Sequence, residues 1–262
     1  MPFLQVPLGR LYYETAGEGR SLGLLHGMWS NHGAWKRMLP RLSDTHRVVA
    51  PDFMGHGRSD RMAVSYQLSA YASDLKILFD HLGIEKISLA GFSLGSLVAQ
   101  TFYDMWPARV GSLILIATPP PQKLRWKLGI RFVSFLEKLH LTSLKKESFK
   151  ALARRHSRSS GREEVEKSLK ELHNYEDKEF ARILRSVWGG HERRPASAIL
   201  VPTLVAVGGE DGIRAHSEHL HRSIPGSRLL IVPGSGHSLV LDRPTLLAEE
   251  ILKFLQEAGS RA

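Results

Sequence analysis

The sequence predicts an α/β fold in which helices cover both faces of a mostly parallel sheet, with a helical cap inserted at the carboxyl-terminal edge of that sheet. Three observations lead to this prediction. Short apolar stretches typical of strands alternate with helical patterns up to residue 118, the pattern is helical only from residue 122 to about 188, and the alternation resumes near residue 200. The 262 residues can bury the core of one such domain with an insertion. We therefore predict a core of residues 1–118 and 191–262 and a cap of residues 119–190.

The elements before the cap begin with a predicted hairpin, because residues 3–6 and 11–15 alternate between apolar and polar around a Gly-Arg turn. Further short apolar strands are predicted at residues 22–25, 47–50, 87–90 and 110–116. Helical spacing of apolar residues predicts helices at residues 68–82 and 93–106, with Ser65 as the N-cap of the first. Three prolines at residues 119–121 end this half of the core, because a helix cannot continue through them. After the cap we predict strands at residues 200–207 and 228–232 and helices at residues 214–222 and 244–257.

The turn between one predicted strand and the helix after it has the sequence Gly91-Phe92-Ser93-Leu94-Gly95. A strand, a sharp turn and a helix in this order are typical of a nucleophile elbow, which exposes the hydroxyl of its central serine at the end of the sheet. We expect glycine at both flanks because the strand and the helix approach too closely there for a Cβ atom. Ser93 is therefore the candidate nucleophile.

An elbow serine needs a base and an acid, which in this architecture follow later strands of the sheet in the order Ser, acid, His. Asp211 and His237 follow the two strands predicted after the cap. His237 would take the proton of Ser93, and Asp211 would orient the imidazole and stabilise it when charged. Glu210 is the alternative acid, because it adjoins Asp211 in the same loop. No carboxylate follows the last strand before the cap, which is the other usual place for the acid.

Acyl transfer also needs hydrogen-bond donors for the negative charge that develops on the substrate oxygen. The backbone N–H of Leu94 is one candidate, since it lies at the N-terminus of a helix. The second candidate is the N–H of Met28, in the loop after an earlier strand, and Trp29 beside it is a candidate substrate-binding residue. We expect His26 in the same loop to brace it by hydrogen bonds and to take no proton.

The composition excludes several kinds of site. The chain has no cysteine, so disulfides, cysteine nucleophiles and thiolate metal sites are excluded. The one tight histidine cluster, His216, His219 and His221, has no partner carboxylate at a recognised spacing, and we expect no metal there. No run of about 18 uncharged apolar residues is present, and the first ten residues do not resemble a signal peptide. We therefore expect a cytoplasmic protein without a transmembrane segment.

The net charge of +10 is concentrated in the predicted cap. Residues 119–190 contain 17 Lys and Arg against 9 Asp and Glu, whereas the rest of the chain contains 19 against 17. Between residues 119 and 162 the count is 12 against 2. This charge permits an acidic carrier protein or an anionic surface as a partner. It also permits binding of nucleic acid or a membrane surface. However, cap helices often carry solvated Lys and Arg faces that bind no partner. The catalytic pattern therefore favours an enzyme that binds no nucleic acid.

Five motifs, in this order along the chain, carry a resemblance to a known family. They are His26-Gly27, the turn Asp52-x-x-Gly55-x-Gly57-x-Ser59, the elbow, Gly208-x-x-Asp211 and Gly236-His237. On these residues the chain resembles the α/β-hydrolase superfamily, in its capped esterase-like branch, over nearly its whole length. The resemblance implies an eight-stranded, mostly parallel sheet, a helical cap over the active site, no metal and no organic cofactor. It also implies a chiefly structural role for the turn from Asp52 to Ser59.

Differences between this chain and the motifs of related enzyme families reduce the number of functions to consider. Haloalkane dehalogenases and epoxide hydrolases resemble this chain but use Asp at the position of Ser93. The C–C hydrolases of aromatic degradation usually follow the catalytic His with Trp, whereas Ser238 follows here, and perhydrolase-like members carry Ser-Met-Gly-Gly at the elbow. The remaining interpretation is a carboxylic ester hydrolase that acts on a small-molecule ester through an acyl-enzyme intermediate. Lactonase, thioesterase, acyl-carrier methyl esterase and C–C bond hydrolase activities stay open, as does a ligand-binding receptor on the same fold.

Overall fold

The computed structural model describes residues 2–61, 66–120, 183 and 194–260. The strands of this part of the chain are β1 (Phe3–Val6), β2 (Gly9–Ala16), β3 (Arg20–Leu25), β4 (His46–Pro51), β5 (Ile87–Phe92), β6 (Val110–Ile116), β7 (Thr203–Gly208) and β8 (Arg228–Val232). Its α-helices are α1 (Leu39–Ser43), α2 (Leu68–His81), α3 (Leu94–Met105), α4 (Arg214–Ser223), α5 (Leu239–Asp242) and α6 (Pro244–Gly259). Short 3₁₀ turns lie at His32–Trp35, Pro107–Arg109 and Ala196–Ala198.

The eight strands form one sheet in the order β1-β2-β4-β3-β5-β6-β7-β8. The β1–β2 and β2–β4 pairs are antiparallel, and every other pair is parallel. This arrangement confirms the predicted eight-stranded, mostly parallel sheet. The carboxyl ends of β3, β5, β6, β7 and β8 therefore lie along one edge of the sheet, where the loops that follow them meet.

Helices cover both faces of the sheet, as the sequence predicts. Apolar residues of α2, α3 and α4 form one buried cluster against the sheet, and those of α1, α5 and α6 form the other. In β6, Leu113 and Leu115 belong to the first cluster while Ile114 and Ile116 belong to the second. The strand is apolar along its length because both faces are covered. Each such buried side chain contributes about 1.5–3 kcal/mol to stability, so the centre of the sheet is a firm support for the loops at its edge.

The predicted and observed elements differ at some of their ends. Helix α2 begins at Leu68 with Gln67 as its N-cap residue, so the expectation that Ser65 caps it is wrong, and Ser65 itself lies outside the described residues. Strand β7 begins at Thr203 rather than at residue 200, because Pro202 has no N–H to donate to a strand pair. Helices α1 and α5 have five and four residues, too few for an apolar helical spacing to be recognised in the sequence.

The predicted cap lies outside the described residues except at residues 119, 120 and 183, so its bounds and its helices stay a prediction. In the part of the chain that the structure describes, no helix is both long enough and apolar enough to cross a membrane. Within the same part, no group of three His, Asp or Glu side chains could hold a metal ion. His216, His219 and His221 in α4 therefore do not form such a group.

Candidate active site

Ser93 lies between the end of β5 and the start of α3, with φ 51° and ψ −109°. A positive φ is strained for a residue that has a Cβ atom. Two backbone hydrogen bonds hold it: the N–H of Ser93 donates to the carbonyl of Ile116 in β6 over 2.9 Å, and its own carbonyl accepts from the N–H of Ser96 over 3.0 Å. The neighbouring strand and the first turn of the helix thus fix the sharp turn that the sequence predicts.

The two flanking glycines have the steric reason expected of them. A Cβ atom at Gly91 would lie well under 3.0 Å from the carbonyl oxygen of Gly95, where no real Cβ contact is found. A Cβ atom at Gly95 would collide in the same way with the carbonyl oxygen of Leu25, at the end of β3. Helix α3 therefore begins in close contact with two strands at once, which sets the direction of the turn.

The loops after β7 and β8 are joined to each other by their backbones. The N–H of Glu210 donates to the carbonyl of Ser235 over 3.0 Å, and the N–H of Gly209 donates to the carbonyl of Val232 over 2.8 Å. Gly208 has no room for a Cβ atom, because the carbonyl of Gly236 lies directly against it. This close approach brings the loop that contains Asp211 beside the loop that contains His237.

The structure brings Ser93, Asp211 and His237 into one hydrogen-bonded line. The Nδ1 of His237 lies 2.9 Å from Oδ2 of Asp211, and its Nε2 lies 3.2 Å from Oγ of Ser93. In the tautomer that fits both contacts, Nδ1–H donates to Asp211 and the Ser93 hydroxyl donates to Nε2. The Asp211 carboxylate is almost fully buried, and its other oxygen accepts from the N–H of Ile213 over 3.1 Å. The side chain of Glu210, the alternative acid, is exposed.

Asp242 supports the histidine loop, and sequence reasoning missed it. Its buried carboxylate accepts from the N–H of Gly236, the residue before His237, over 3.2 Å. The ring of Phe92 also packs against the imidazole of His237, with ring centroids 5.5 Å apart. No sequence signal marks Asp242, because its role depends on the short helix α5 turning it back toward the loop.

The N–H groups of Met28 and Leu94 are the two candidate oxyanion donors. Leu94 is the first residue of α3, where an N–H has no partner within the helix, and Met28 lies in the loop after β3, which is next to β5 in the sheet. Among the described residues, neither N–H donates a hydrogen bond. Trp29 turns the loop with a φ of 55°, and its side chain is 3% exposed within the core. A contact between Trp29 and a substrate stays a prediction.

His26 braces the same loop. Its Nδ1–H donates to the carbonyl of Gly27 over 2.7 Å, and its Nε2 accepts from the N–H of Phe53 over 3.0 Å. Complete burial lowers the pKa of His26 to about 4, so the ring is neutral near pH 7 and needs the tautomer that both contacts require. This geometry agrees with a bracing role rather than a proton-transfer role.

The turn from Asp52 to Ser59 is held from within, as expected of a structural element. One carboxylate oxygen of Asp52 accepts from the N–H of His32 over 2.6 Å and the other accepts from the N–H of Arg58 over 2.9 Å. The hydroxyl of Ser59 donates to the Asp52 carbonyl and accepts from the N–H of Tyr12 over 2.8 Å. The turn therefore fastens β2 and β4 to the loop that carries Met28.

Comparisons with known proteins agree with this fold. An uncharacterized protein of Mycobacterium tuberculosis is 26% identical over 266 residues, which cover 94% of this chain and 78% of that protein. A putative 2-succinyl-6-hydroxy-2,4-cyclohexadiene-1-carboxylate synthase of Bacillus subtilis is 27% identical over 93% of this chain and 94% of its own. Among solved structures, a thermophilic esterase from Thermogutta terrifontis is similar with a TM-score of 0.84 and 28% identity, covering 95% of this chain and 94% of that one.

The alpha/beta hydrolase family matches the chain over residues 24–250. That span contains the elbow, the loop after β3 and both loops that follow β7 and β8. The chain therefore belongs to the alpha/beta hydrolase family and is a hydrolase.

Proposed function

We propose that the protein is a serine hydrolase that cleaves a carboxylic ester through an acyl-enzyme intermediate. Ser93 Oγ attacks the ester carbonyl carbon while Nε2 of His237 takes the hydroxyl proton, and Asp211 stabilises the imidazolium that forms. The tetrahedral intermediate then expels the alcohol, which receives the proton from His237. Water attacks the acyl group with His237 again as the base, and the carboxylic acid and free Ser93 are released.

The developing oxyanion is stabilised by the N–H groups of Met28 and Leu94. Each donor of this kind contributes about 10² to 10³ in rate, because it is already oriented when the charge forms. The two groups come from adjacent strand ends, β3 and β5, so the carbonyl oxygen of an ester bound over Ser93 would lie between them. Trp29, next to Met28, completes the proposed oxyanion and substrate-binding loop.

The observation that carries this proposal is the pair of hydrogen bonds made by His237, 3.2 Å to Ser93 and 2.9 Å to Asp211. A base within reach of the nucleophile and oriented by a buried carboxylate is the arrangement that acyl transfer requires. The esterase relative, 28% identical to this chain, supports the choice of an ester. The synthase relative, 27% identical, is named for another reaction, so the bond that is cleaved has to be tested directly.

A panel of p-nitrophenyl esters of graded acyl length, measured beside a lactone and an acyl-thioester, tests the substrate class. We expect kcat/KM to be highest on an ester and to depend on acyl length, because the acyl group must fit beside Ser93. A higher kcat/KM on the lactone or the thioester would indicate a lactonase or a thioesterase instead of an ester hydrolase. Tight binding of a ligand without turnover would favour the receptor-like alternative instead.

Substitution of the nucleophile tests the mechanism. We expect Ser93→Ala to lower kcat by about 10⁴ to 10⁶ while the protein stays folded, because the oxyanion donors remain but no acyl-enzyme can form. A serine-reactive phosphonate should label Ser93 in the parent. Ser223→Ala, which removes an exposed hydroxyl bonded to the carbonyl of His219 in α4, is the matched control and should keep full activity. Full activity of Ser93→Ala would contradict the proposal.

A further inference from the structure

The loop that carries Met28 continues into a 3₁₀ turn that begins at His32. The backbone N–H of His32 donates to Oδ1 of Asp52, and its ring Nδ1 lies 2.8 Å from the same oxygen. On the other side of the ring, Nε2 lies 3.3 Å from Oε1 of Glu14. One imidazole therefore joins two carboxylates, Glu14 from β2 and Asp52 from the residue after β4. We call this arrangement the His32 bridge.

The His32 bridge is anchored at both carboxylates. Asp52 is fully buried, and its second oxygen is held by the N–H of Arg58. Glu14 is partly exposed, and its Oε1 accepts from the hydroxyl of Tyr12 over 2.7 Å. The position of the imidazole is thus determined by groups that belong to the sheet and to the turn after β4.

The bridge is close to the oxyanion loop along the chain. Only residues 29–31 separate His32 from Met28, and Ser30 donates its N–H to the carbonyl of Gly27 over 3.2 Å within that stretch. Asn31 caps the 3₁₀ turn by accepting from the N–H of Gly33 over 2.7 Å. This short segment is thus hydrogen-bonded at both ends, and it links His32 directly to Met28.

The charged groups that face His32 come from three neighbouring elements. Burial opposes a charge on the ring, but the hydrogen bond and charge of Asp52 and the charge of Glu14 outweigh it, and the pKa of His32 is raised above its ordinary value. Arg58 acts in the opposite direction, and its Nη1 donates to the Tyr12 hydroxyl rather than to either carboxylate. The ring of Tyr12 lies 5.1 Å from that of His32. His26, at the end of β3, is neutral near pH 7 as described above.

Protonation decides whether the bridge is complete. A charged imidazole donates from both nitrogens, one to Asp52 and one to Glu14, whereas a neutral ring has only one N–H and turns a lone pair toward one carboxylate. Since the folded pKa is raised, the stabilisation is fully present below the ordinary histidine pKa of about 6.5 and is lost as the pH rises through the raised value.

We propose that His32 is a positioning residue for the oxyanion hole: by bridging Glu14 and Asp52 it holds the N–H of Met28 where the substrate oxyanion forms. This inference rests on the proposed function, because it concerns the same oxyanion. The His32 bridge must be charged, so activity falls on the alkaline side as His32 loses its proton.

The pH dependence of kcat on a p-nitrophenyl ester, from about pH 5 to about pH 10, tests the inference in the parent and in His32→Gln. A glutamine keeps a donor group, its amide NH₂, but does not titrate. We expect it to lower kcat about tenfold at the optimum, less than the loss of a whole donor, because the N–H of Met28 is displaced rather than removed. We expect KM to change little and the alkaline limb to disappear, which a merely structural role of His32 would not produce.

Two further variants make the result specific to the bridge. Glu14→Gln removes one of the two carboxylates at an exposed position, so the alkaline limb should persist but move to lower pH. His46→Gln is the matched control, since His46 is a half-buried histidine at the opposite end of β4, bonded to the Thr45 hydroxyl. It should keep the kcat and the pH profile of the parent. An alkaline limb that is the same in the parent, His32→Gln and Glu14→Gln would overturn the inference.

Binding of phenylboronic acid separates this inference from the proposed function. The Ser93 oxygen adds to boron and gives a tetrahedral anion in the oxyanion hole, so we expect about tenfold weaker binding to His32→Gln than to the parent. If the two proteins bind the boronate equally well and both hydrolyse the ester, the role of His32 is overturned but the proposed function is not. If the parent neither hydrolyses the ester nor binds the boronate, the proposed function is overturned, and the inference with it.

Discussion

Asp211 and Glu210 are neighbours in the chain, but their side chains have different surroundings. The carboxylate of Asp211 is 3% exposed, contacts His237 and accepts from the N–H of Ile213. The side chain of Glu210 is exposed, and its backbone N–H donates to the carbonyl of Ser235 in the loop after β8. A carboxylate that is buried against an imidazole stabilises the imidazolium far more than one in water does. The geometry therefore favours Asp211 as the orienting acid.

We predict that Asp211→Asn lowers kcat by up to about 10⁴, whereas Glu210→Gln changes it little. Asparagine fits the same space, but it favours the wrong tautomer of His237 and cannot stabilise its charged form. Steady-state kinetics on one ester, with circular dichroism to verify folding, measures both variants. If Glu210→Gln lost activity and Asp211→Asn kept it, the orienting acid would be Glu210 rather than Asp211.

The sequence allows us to predict that Ser93, Asp211 and His237 come together, because their order along the chain follows the strand order of the sheet. Their catalytic roles stay a proposal. The residues that hold those groups in place could not be predicted in this way. Asp242 reaches the histidine loop through a four-residue helix, and His32 meets Glu14 from a different strand. Such contacts join elements that are distant in sequence, and no local spacing reports them.

At the scale of elements, the elbow depends on how closely α3 approaches two strands. A Cβ atom at Gly95 would collide with the backbone of β3, and backbone cannot move aside as the end of a flexible side chain can. By contrast, Gly111 in β6 has only ordinary contacts around an added Cβ atom, the nearest being 3.6 Å from the hydroxyl oxygen of Ser88. An added methyl group is therefore expected to disturb the structure at Gly95, at the start of α3, but not at Gly111 in β6.

We predict that Gly95→Ala destabilises the protein by more than about 2 kcal/mol, because the helix must move away from β3. It should also lower kcat, since that movement carries Ser93 and the N–H of Leu94 away from the histidine. Gly111→Ala is the control and should keep both stability and activity. Urea denaturation and ester kinetics measure the two effects, and an unchanged Gly95→Ala would contradict the packing argument.

Elements with a long apolar pattern could be predicted from the sequence, while short ones could not. Strand β6 has the predicted bounds, because its apolar run is continuous and is buried on both faces. Helices α1 and α5 make about one turn each, and their formation depends on packing against α6. Packing of this kind exists only in the folded chain, so neither helix leaves a signature in local spacing.

At the scale of the whole molecule, the charge of the chain is unevenly distributed, which ester hydrolysis by itself does not require. Residues 119–162 contain 12 Lys and Arg against 2 Asp and Glu, a count that depends on the sequence alone because most of this stretch lies outside the described residues. Charges of one sign near an active site attract substrates of the other sign and raise the association rate most at low salt. We therefore propose that the natural substrate is anionic or is presented by an acidic surface, such as an acyl carrier protein or an anionic membrane.

We predict that reversing Arg154, Arg155 and Arg158 to Glu lowers kcat/KM about tenfold at low salt on an ester carried by an acidic carrier protein. The difference from the parent should shrink as salt is added. A neutral p-nitrophenyl ester is the internal control and should be hydrolysed equally by both proteins, because it does not respond to the field. Equal behaviour on both substrates across a salt titration would mean that these charges are only a solvated surface.

Strands β6 and β7 are adjacent in the sheet, with Ile116 paired to Ala206, although residues 117–202 separate them in the chain. Because the two strands are parallel, the long insertion leaves the sheet at the carboxyl end of β6 and re-enters it at the amino end of β7, where Thr203 pairs with Leu113. The entropy of closing a loop grows only with the logarithm of its length, so doubling the insertion would cost about 0.6 kcal/mol. Evolution can lengthen or exchange this segment while Ser93, Asp211 and His237 keep their positions. The length of the segment and the catalytic geometry are thus free to diverge at different rates in descendants of this chain.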